Sequence, residues 1–373
     1  FERISYGSYL KAVLLILCLW AYALLTGLSP SVLRAVTMFS FIIIGSALKR
    51  ETNIYNTLAA SAFVLLLYNP YILLQVGFQL SYLAVLGIVY LQPKLYKLLY
   101  TRNWLLDKIW AITTVSIAAQ LATFPLGMYY FHQFPNYFLL SNLFIIPLAT
   151  FIINGGILLF VISAIPVLPS YIAWMVNKML LFLNTSVEWV ESLPYSLTLG
   201  ISITKVEMLI IFGIIFLLIT AIATKKARII QLTFCLVILF MGMQIEEQYY
   251  TKKQQYFIVY DIPKERAIDF MDGNQNYFLA SESLCNDKNK MRFNIQHFRW
   301  ERRMIESTII PANFTANNYF RRDNYIQFFD KKILLLDKEF KTPTNISDLH
   351  FDYIIISSKV KLDLENITCN QVI

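Results

Sequence analysis

Apolar runs of about twenty residues recur through the first two thirds of this chain, and they constrain it more than any other feature. About twenty helical residues cross a bilayer core about 30 Å thick. No water reaches the backbone there, so its hydrogen bonds must close within the segment. Nine such spans read from the sequence, at about 9–27, 31–48, 54–68, 72–92, 109–131, 137–163, 167–190, 204–224 and 227–244. The third is short, opens on polar NIYNT and ends on YNP, and reads as a buried or partly re-entrant helix. The seventh carries Lys178, Glu188 and Glu191, so it either crosses or lies along the interface as an amphipathic helix. Composition agrees: 57% of residues are hydrophobic and 15% charged, against about 25% charged in a soluble domain.

Polar residues break two of these spans, in GLSPSVLRA (Gly27 to Ala35) and GFQLSYLAVLG (Gly77 to Gly87). An arginine at the centre of a spanning helix costs roughly 2.5–3.5 kcal/mol on insertion scales. Arg34, Gln79 and Ser81 are therefore expected to face a bundle interior or a watery path. The alternative is that Arg34 snorkels to an interface and Gln79 joins helices. Pro125 and Pro147 fall inside spans and point to interrupted helices, with an ordinary kink as the alternative. The segment 93–108 suggests a short helix lying on the inner face.

The net charge of +8 invites a nucleic-acid reading, but its distribution argues for topology. Lys and Arg number 14 against 6 Asp and Glu up to residue 243, and 18 against 18 beyond it. The excess lies mostly in alternate loops, at Lys49, Arg50, Lys94, Lys97, Arg102, Lys108, Lys225, Lys226 and Arg228. That side is expected to be cytoplasmic. With nine crossings, the tail after about residue 245 falls on the other side.

That tail changes character. YFIVYDI, NYFLAS, YIQFFD, KKILLLD and FDYIIISS are strand-like runs, and DGN (Asp272 to Asn274) is a hairpin signal. The expected fold class is thus a polytopic α-helical membrane bundle over 1–245, followed by a small β-rich (α+β) soluble domain over 246–373. Asp261, Asp269 and Asp272 form a carboxylate-rich hairpin and read as solvated charges, with a metal or acid–base role as the alternative. The stretch 288–303 interleaves Arg292, Arg299, Arg302 and Arg303 with Phe293, Phe298 and Trp300. Cations beside aromatics suit single-stranded nucleic acid. A solvated face with its aromatics turned inward is the competing reading. Cys285 and Cys369 share the tail, and an oxidising compartment would permit them to pair.

Four ordered blocks make the chain recognisable: the two polar stretches above, QLATFPLGMYYFHQFP (Gln120 to Pro135), and SNLFIIPL (Ser141 to Leu148). Together they resemble the core of the ComEC family, the inner-membrane DNA-internalisation proteins of bacterial competence. The resemblance implies a membrane channel that takes up single-stranded transforming DNA. It implies an outer DNA receptor and a cytoplasmic ATP-driven motor as partners, the lipid bilayer as environment, and leaves a homo-oligomer open. Arg34, Gln79 and Ser81 would line or brace the path, with Gly27, Ser29, Pro30, Ser31, Gly77 and Phe78 shaping the backbone. Gln120, Pro125, Asn142 and Pro147 carry the later blocks of that path or core. Arg292, Arg299, Trp300, Arg302 and Arg303 are the candidate DNA contacts of the tail. Relatives usually carry a soluble module and further helices before this point, so the chain, opening on Phe1, reads as a piece lacking them. A transporter of a small anionic solute or lipid, with Arg34 as counter-charge, is the other reading.

Many such proteins end in a metallo-β-lactamase-type domain, and Gln254 to Ala280 looks like its opening hairpin. A zinc site of that class needs an HxHxDH cluster. This chain has only His132, His297 and His350, far apart in sequence. No GxxxxGK[ST] phosphate loop occurs either. The expectation is a non-catalytic tail with no cofactor and no metal.

Overall fold

The computed structural model describes residues 7–48, 53–162, 168–304, 306–336, 350–356 and 368–372. Among these residues nine long helices come first: α1 Gly7–Leu25, α2 Pro30–Ala47, α3 Ile54–Tyr68, α4 Val76–Tyr96, α5 Trp104–Phe131, α6 Phe138–Ile162, α7 Leu168–Ser192, α8 Lys205–Thr224 and α9 Ala227–Lys252. Strands β1 Gln133–Pro135 and β2 Leu197–Leu199 pair as a short ribbon. Seven of the nine helices are long and apolar enough to cross a membrane. The other two are α3, whose 15 residues span only about 22 Å at 1.5 Å each, and α7, with its three charges. α6 buries none of its described residues against the rest of the chain; its apolar surface suits lipid, not water.

Contacts group the chain into two compact units, Phe1–Tyr130 with Phe134–Thr198, and Phe131–Gln133 with Leu199–Ile373. In the first unit α1 packs on α2, α2 on α3 and α4, and α6 on α7. Leu58, Leu65, Phe78 and Tyr82 form a small core between α3 and α4, and the Tyr82 hydroxyl lies 3.0 Å from that of Ser61. Gly27, at φ +72°, ends α1 in the left-handed conformation that glycine adopts without Cβ strain. Pro125 and Pro147 sit inside continuous helices, so neither helix is interrupted; a proline deletes one backbone donor without ending a helix that its neighbours support. No separate helix occupies 93–108, because α4 runs to Tyr96 and α5 begins at Trp104.

Composition changes near residue 245, whereas compactness changes near 199. The reason is a polar tie inside the second unit. Gln244 donates to Glu207 at 2.9 Å, and Arg303 reaches α9 to donate to Gln244 and pair with Glu247. Glu207 is fully buried and closes a capping box with Thr204 at the start of α8.

The described residues of the β-rich part form two sheets. The four-stranded one runs β3 Gln255–Val259, β4 Ala267–Asp272, β5 Gln275–Ala280 and β6 Thr308–Ile309. The six-stranded one runs, in spatial order, β12 Thr368–Val372, β11 His350–Ile356, β10 Lys331–Leu336, β9 Tyr325–Phe328, β8 Tyr319–Arg322 and β7 Asn313–Ala316. β10, β11 and β12 are parallel neighbours and the rest of that sheet is antiparallel. Alternate residues of both sheets, Ile268, Phe270 and Leu279 against Tyr319, Ile326, Phe328 and Ile333, make a shared core. Asp272 and Gln275 close the β4–β5 hairpin with Gly273 at φ +57°, as DGN suggests. The stretch 282–301 is helical: α10 Glu282–Asn286, α11 Lys288–Met291, a π turn over Arg292–Gln296, and α12 His297–Glu301. Cys285 and Cys369 are free thiols. They pack on separate clusters, one beside Leu284 and Ile295, the other beside Leu334 and Phe351, so the disulfide does not form.

Candidate functional site

Arg34 lies on the second turn of α2 and is 8% exposed. Its Nε has no hydrogen-bond partner, and among the described residues no carboxylate pairs with the guanidinium. A Cβ built on Gly77 would stand 3.5 Å from Nη1 and 3.6 Å from Nη2. The guanidinium therefore rests on the first turn of α4. Around it lies a cavity of about 150 Å³, lined by Pro30, Leu33 and Arg34 of α2, Leu65 and Asn69 at the end of α3, Ile72, and Gln75. A 3-10 turn, Pro70–Leu74, carries the chain from α3 to α4.

The other residues singled out in the sequence divide around this cavity. Ser29 is the N-cap of α2 but its side chain caps nothing, standing 3.5 Å from the Ser31 hydroxyl. Phe78 is buried in the α3–α4 core. Gln79 donates to the Leu73 carbonyl at 2.9 Å and so pins the 3-10 turn. Ser81, two residues further on, is half-buried. Gln120 and Pro125 belong to α5, and Asn142 and Pro147 to α6, while α2, α3, the 3-10 turn and the residue before α4 build the cavity. Sequence reasoning did not single out Asn69 and Gln75. The NP pair after an apolar run was a legible signal for Asn69, which accepts a hydrogen bond from the Tyr71 amide at 3.0 Å.

In the tail the basic stretch splits. Arg299 is buried and donates twice to Asp269, at 2.7 and 2.8 Å. Asp269 is fully buried, not solvated, and also accepts from the Tyr260 hydroxyl at 2.7 Å and from Asn276 at 3.1 Å. Burial and the Asp269 carboxylate push the Tyr260 phenol far above its ordinary range, which keeps it a donor. Trp300 is buried and Arg303 is held by α9. Arg292 and Arg302 remain exposed. Arg302 lies over Tyr256 and Phe298, each ring centroid 5.5 Å away, and Arg292 donates to Gln133. His132 is buried, with Nδ1 3.0 Å from the Ile201 carbonyl and its ring edge-on to that of His297. Burial pushes this imidazole below the ordinary histidine range, against the opposing pull of that hydrogen bond. Among the described residues no cluster of three or more His, Cys, Asp or Glu is placed to hold a metal.

Comparisons with known proteins agree over both parts of the chain. The family model described as "Competence protein" matches residues 3–228, and that of the "ComEC C-terminal domain" matches 257–373. "ComE operon protein 3" of Bacillus subtilis is 36% identical over 157 residues, which is 41% of this chain and 19% of that relative's length. No solved structure matches the chain. A family model covering more than half of the residues and a second one covering the tail lead to one conclusion: the chain belongs to the ComEC family of competence proteins.

Proposed function

We propose that this chain is the membrane core through which one strand of transforming DNA crosses the bacterial inner membrane. The observation that carries this reading is family membership over both the helical and the β-rich parts. The buried Arg34, with which no carboxylate among the described residues pairs, lies beside a cavity and supports it, since a protein that only anchors a tail has no need of such a group. With no phosphate loop in the sequence, strand movement draws on an ATP-driven partner in the cytoplasm, and a receptor outside delivers the DNA. A strain lacking this protein is expected to lose transformation. At equal protein abundance, Arg34→Gln is expected to cut uptake of labelled DNA, and Arg34→Lys, which keeps the charge but not the planar fork, to retain much more. Normal transformation in the deletion strain rules the reading out and favours a transporter of a small anion.

The tail, in this reading, is a non-catalytic periplasmic domain whose exposed Arg292 and Arg302 contact the strand. Loop charges support its placement, and the scarcity of histidine supports its lack of zinc chemistry. Alkaline phosphatase fused after Lys253 is expected to be active and a fluorescent protein there dark. The reverse pattern would put the tail in the cytoplasm and imply that Leu168–Ser192 does not cross. Stoichiometric zinc in purified protein, with chelator-sensitive DNA cleavage, would overturn the non-catalytic assignment.

A further inference from the structure

Three sources of positive potential converge on the cavity beside Arg34, and no acid among the described residues answers them. The first is the guanidinium itself, buried and with its Nε unpaired. The second is the start of α4, a 21-residue helix with no acidic residue in its first turn, whose N-cap residue Gln75 makes no side-chain cap. The third is the start of α2, equally without acid and with Ser29 capping nothing. A helix start carries about half a positive charge and presents amides with no intrahelical acceptor. Parking a buried cation on such an end is doubly unfavourable unless an anion shares the space.

We propose that Arg34 and the first turn of α4 form a binding site for one phosphodiester group of the incoming strand. A guanidinium fork and helix-end amides together suit a tetrahedral oxyanion. The site supplies one full charge, which matches a phosphodiester monoanion better than a doubly charged phosphate monoester. Leu33, Leu65 and Ile72 give the cavity apolar walls that the ester arms tolerate and a strongly hydrated dianion does not. Its volume of about 150 Å³ admits one such group, so a strand is held link by link. A single arginine also keeps each hold weak enough to release, as conduction requires. The identity of the ligand as a strand rests on the uptake reading above; the anion site rests on the geometry alone.

Gly77 supplies a sharp test. A Cβ there meets the guanidinium nitrogens at ordinary contact distance, so Gly77→Asp places a built-in carboxylate on Arg34 and on the helix start. The full chain is studied in dodecyl maltoside micelles without phosphate, following its thermal midpoint. Dimethyl phosphate and a twelve-residue oligothymidylate are expected to raise the midpoint of the wild type by several degrees. Arg34→Gln, freed of an unpaired buried charge, is expected to be at least as stable as wild type without ligand. It should lose the response to both ligands, with at least ~tenfold weaker apparent affinity. Gly77→Asp is expected to raise the ligand-free midpoint more than Gly77→Ala does, and to abolish the response. A wild type that responds to neither ligand, or a response that survives Arg34→Gln, overturns the site. A strong destabilisation of ligand-free Arg34→Gln with no gain in Gly77→Asp makes Arg34 a structural brace and also overturns it. A response to short-chain phosphatidylglycerol without one to oligothymidylate overturns the strand as ligand and assigns the site to lipid. An Arg34-dependent response alongside normal transformation in the deletion strain overturns the uptake reading and leaves the anion site standing.

Discussion

Replacing Asp269 with alanine is expected to destabilise the β-rich domain by about 3–5 kcal/mol, the usual consequence of stranding one partner of a buried ion pair. The substitution leaves the Arg299 guanidinium with Ser307 as its remaining hydrogen-bond partner among the described residues, and takes the acceptor from Tyr260 and Asn276 as well. A domain stable by about 5–15 kcal/mol would lose a large share of that margin. Thermal unfolding of the tail and its resistance to limited proteolysis in the full chain read this directly. The double replacement Asp269→Leu with Arg299→Met should recover much of the loss, because well-packed apolar groups replace a buried pair at little cost. A shift below about 1 kcal/mol for Asp269→Ala would mean that water reaches the pair, and would withdraw the assignment of a core role to it.

Gly87→Val is expected to be the most damaging single change in the helical part. A Cβ on Gly87 would overlap that of Ala122 and lie 2.9 Å from the Ala118 carbonyl oxygen, which is backbone and cannot swing aside. Helices in lipid associate largely through close packing of small residues, so α4 and α5 meet because position 87 has no side chain. Overpacking of this kind costs about 1–3 kcal/mol, sometimes more, and valine adds two methyl groups beyond the Cβ. The measurement is the amount of folded protein in the membrane fraction and its melting in detergent, with Gly87→Ala falling between wild type and Gly87→Val. Gly127→Ala is the matched control, since a Cβ there meets nothing within 4 Å. Equal accumulation of Gly87→Val and wild type would show that α4 and α5 do not pack as described.

Helix positions were legible because hydrophobic runs of that length have one solution in lipid, and the tail strands because β-branched and aromatic runs between turn residues have few others. The number of crossings was less so. α3 and α7 sit at the margin of length and polarity, where the count depends on what each helix packs against. Asp269 shows a different limit. As a sequence feature it is one carboxylate in a hairpin; its burial depends on Arg299, thirty residues away, which the fold alone brings to it. The same pairing removed Arg299 from a basic stretch that suited either a nucleic-acid contact or a solvated face. Arg34 was legible as an anomaly, because a cation in an apolar span demands an explanation. That Gly77 belongs to an uncapped helix start lying against the guanidinium was not, since this contact depends on how α2 and α4 cross.

The parallel run of β10, β11 and β12 also has a consequence for biosynthesis. β10 is an interior strand, and Ile333, Leu334, Leu335 and Leu336 are all buried in the finished sheet. One of its edges pairs with β9 almost as soon as it is made. The other waits for β11, whose last residue follows Leu336 by about twenty positions. At about 5–20 residues per second the ribosome leaves that edge open for roughly 1–4 s, and a parallel crossover closes more slowly than a hairpin. For that interval the nascent domain offers four consecutive apolar residues on an unpaired strand, which makes shielding of this segment during synthesis a condition of its yield.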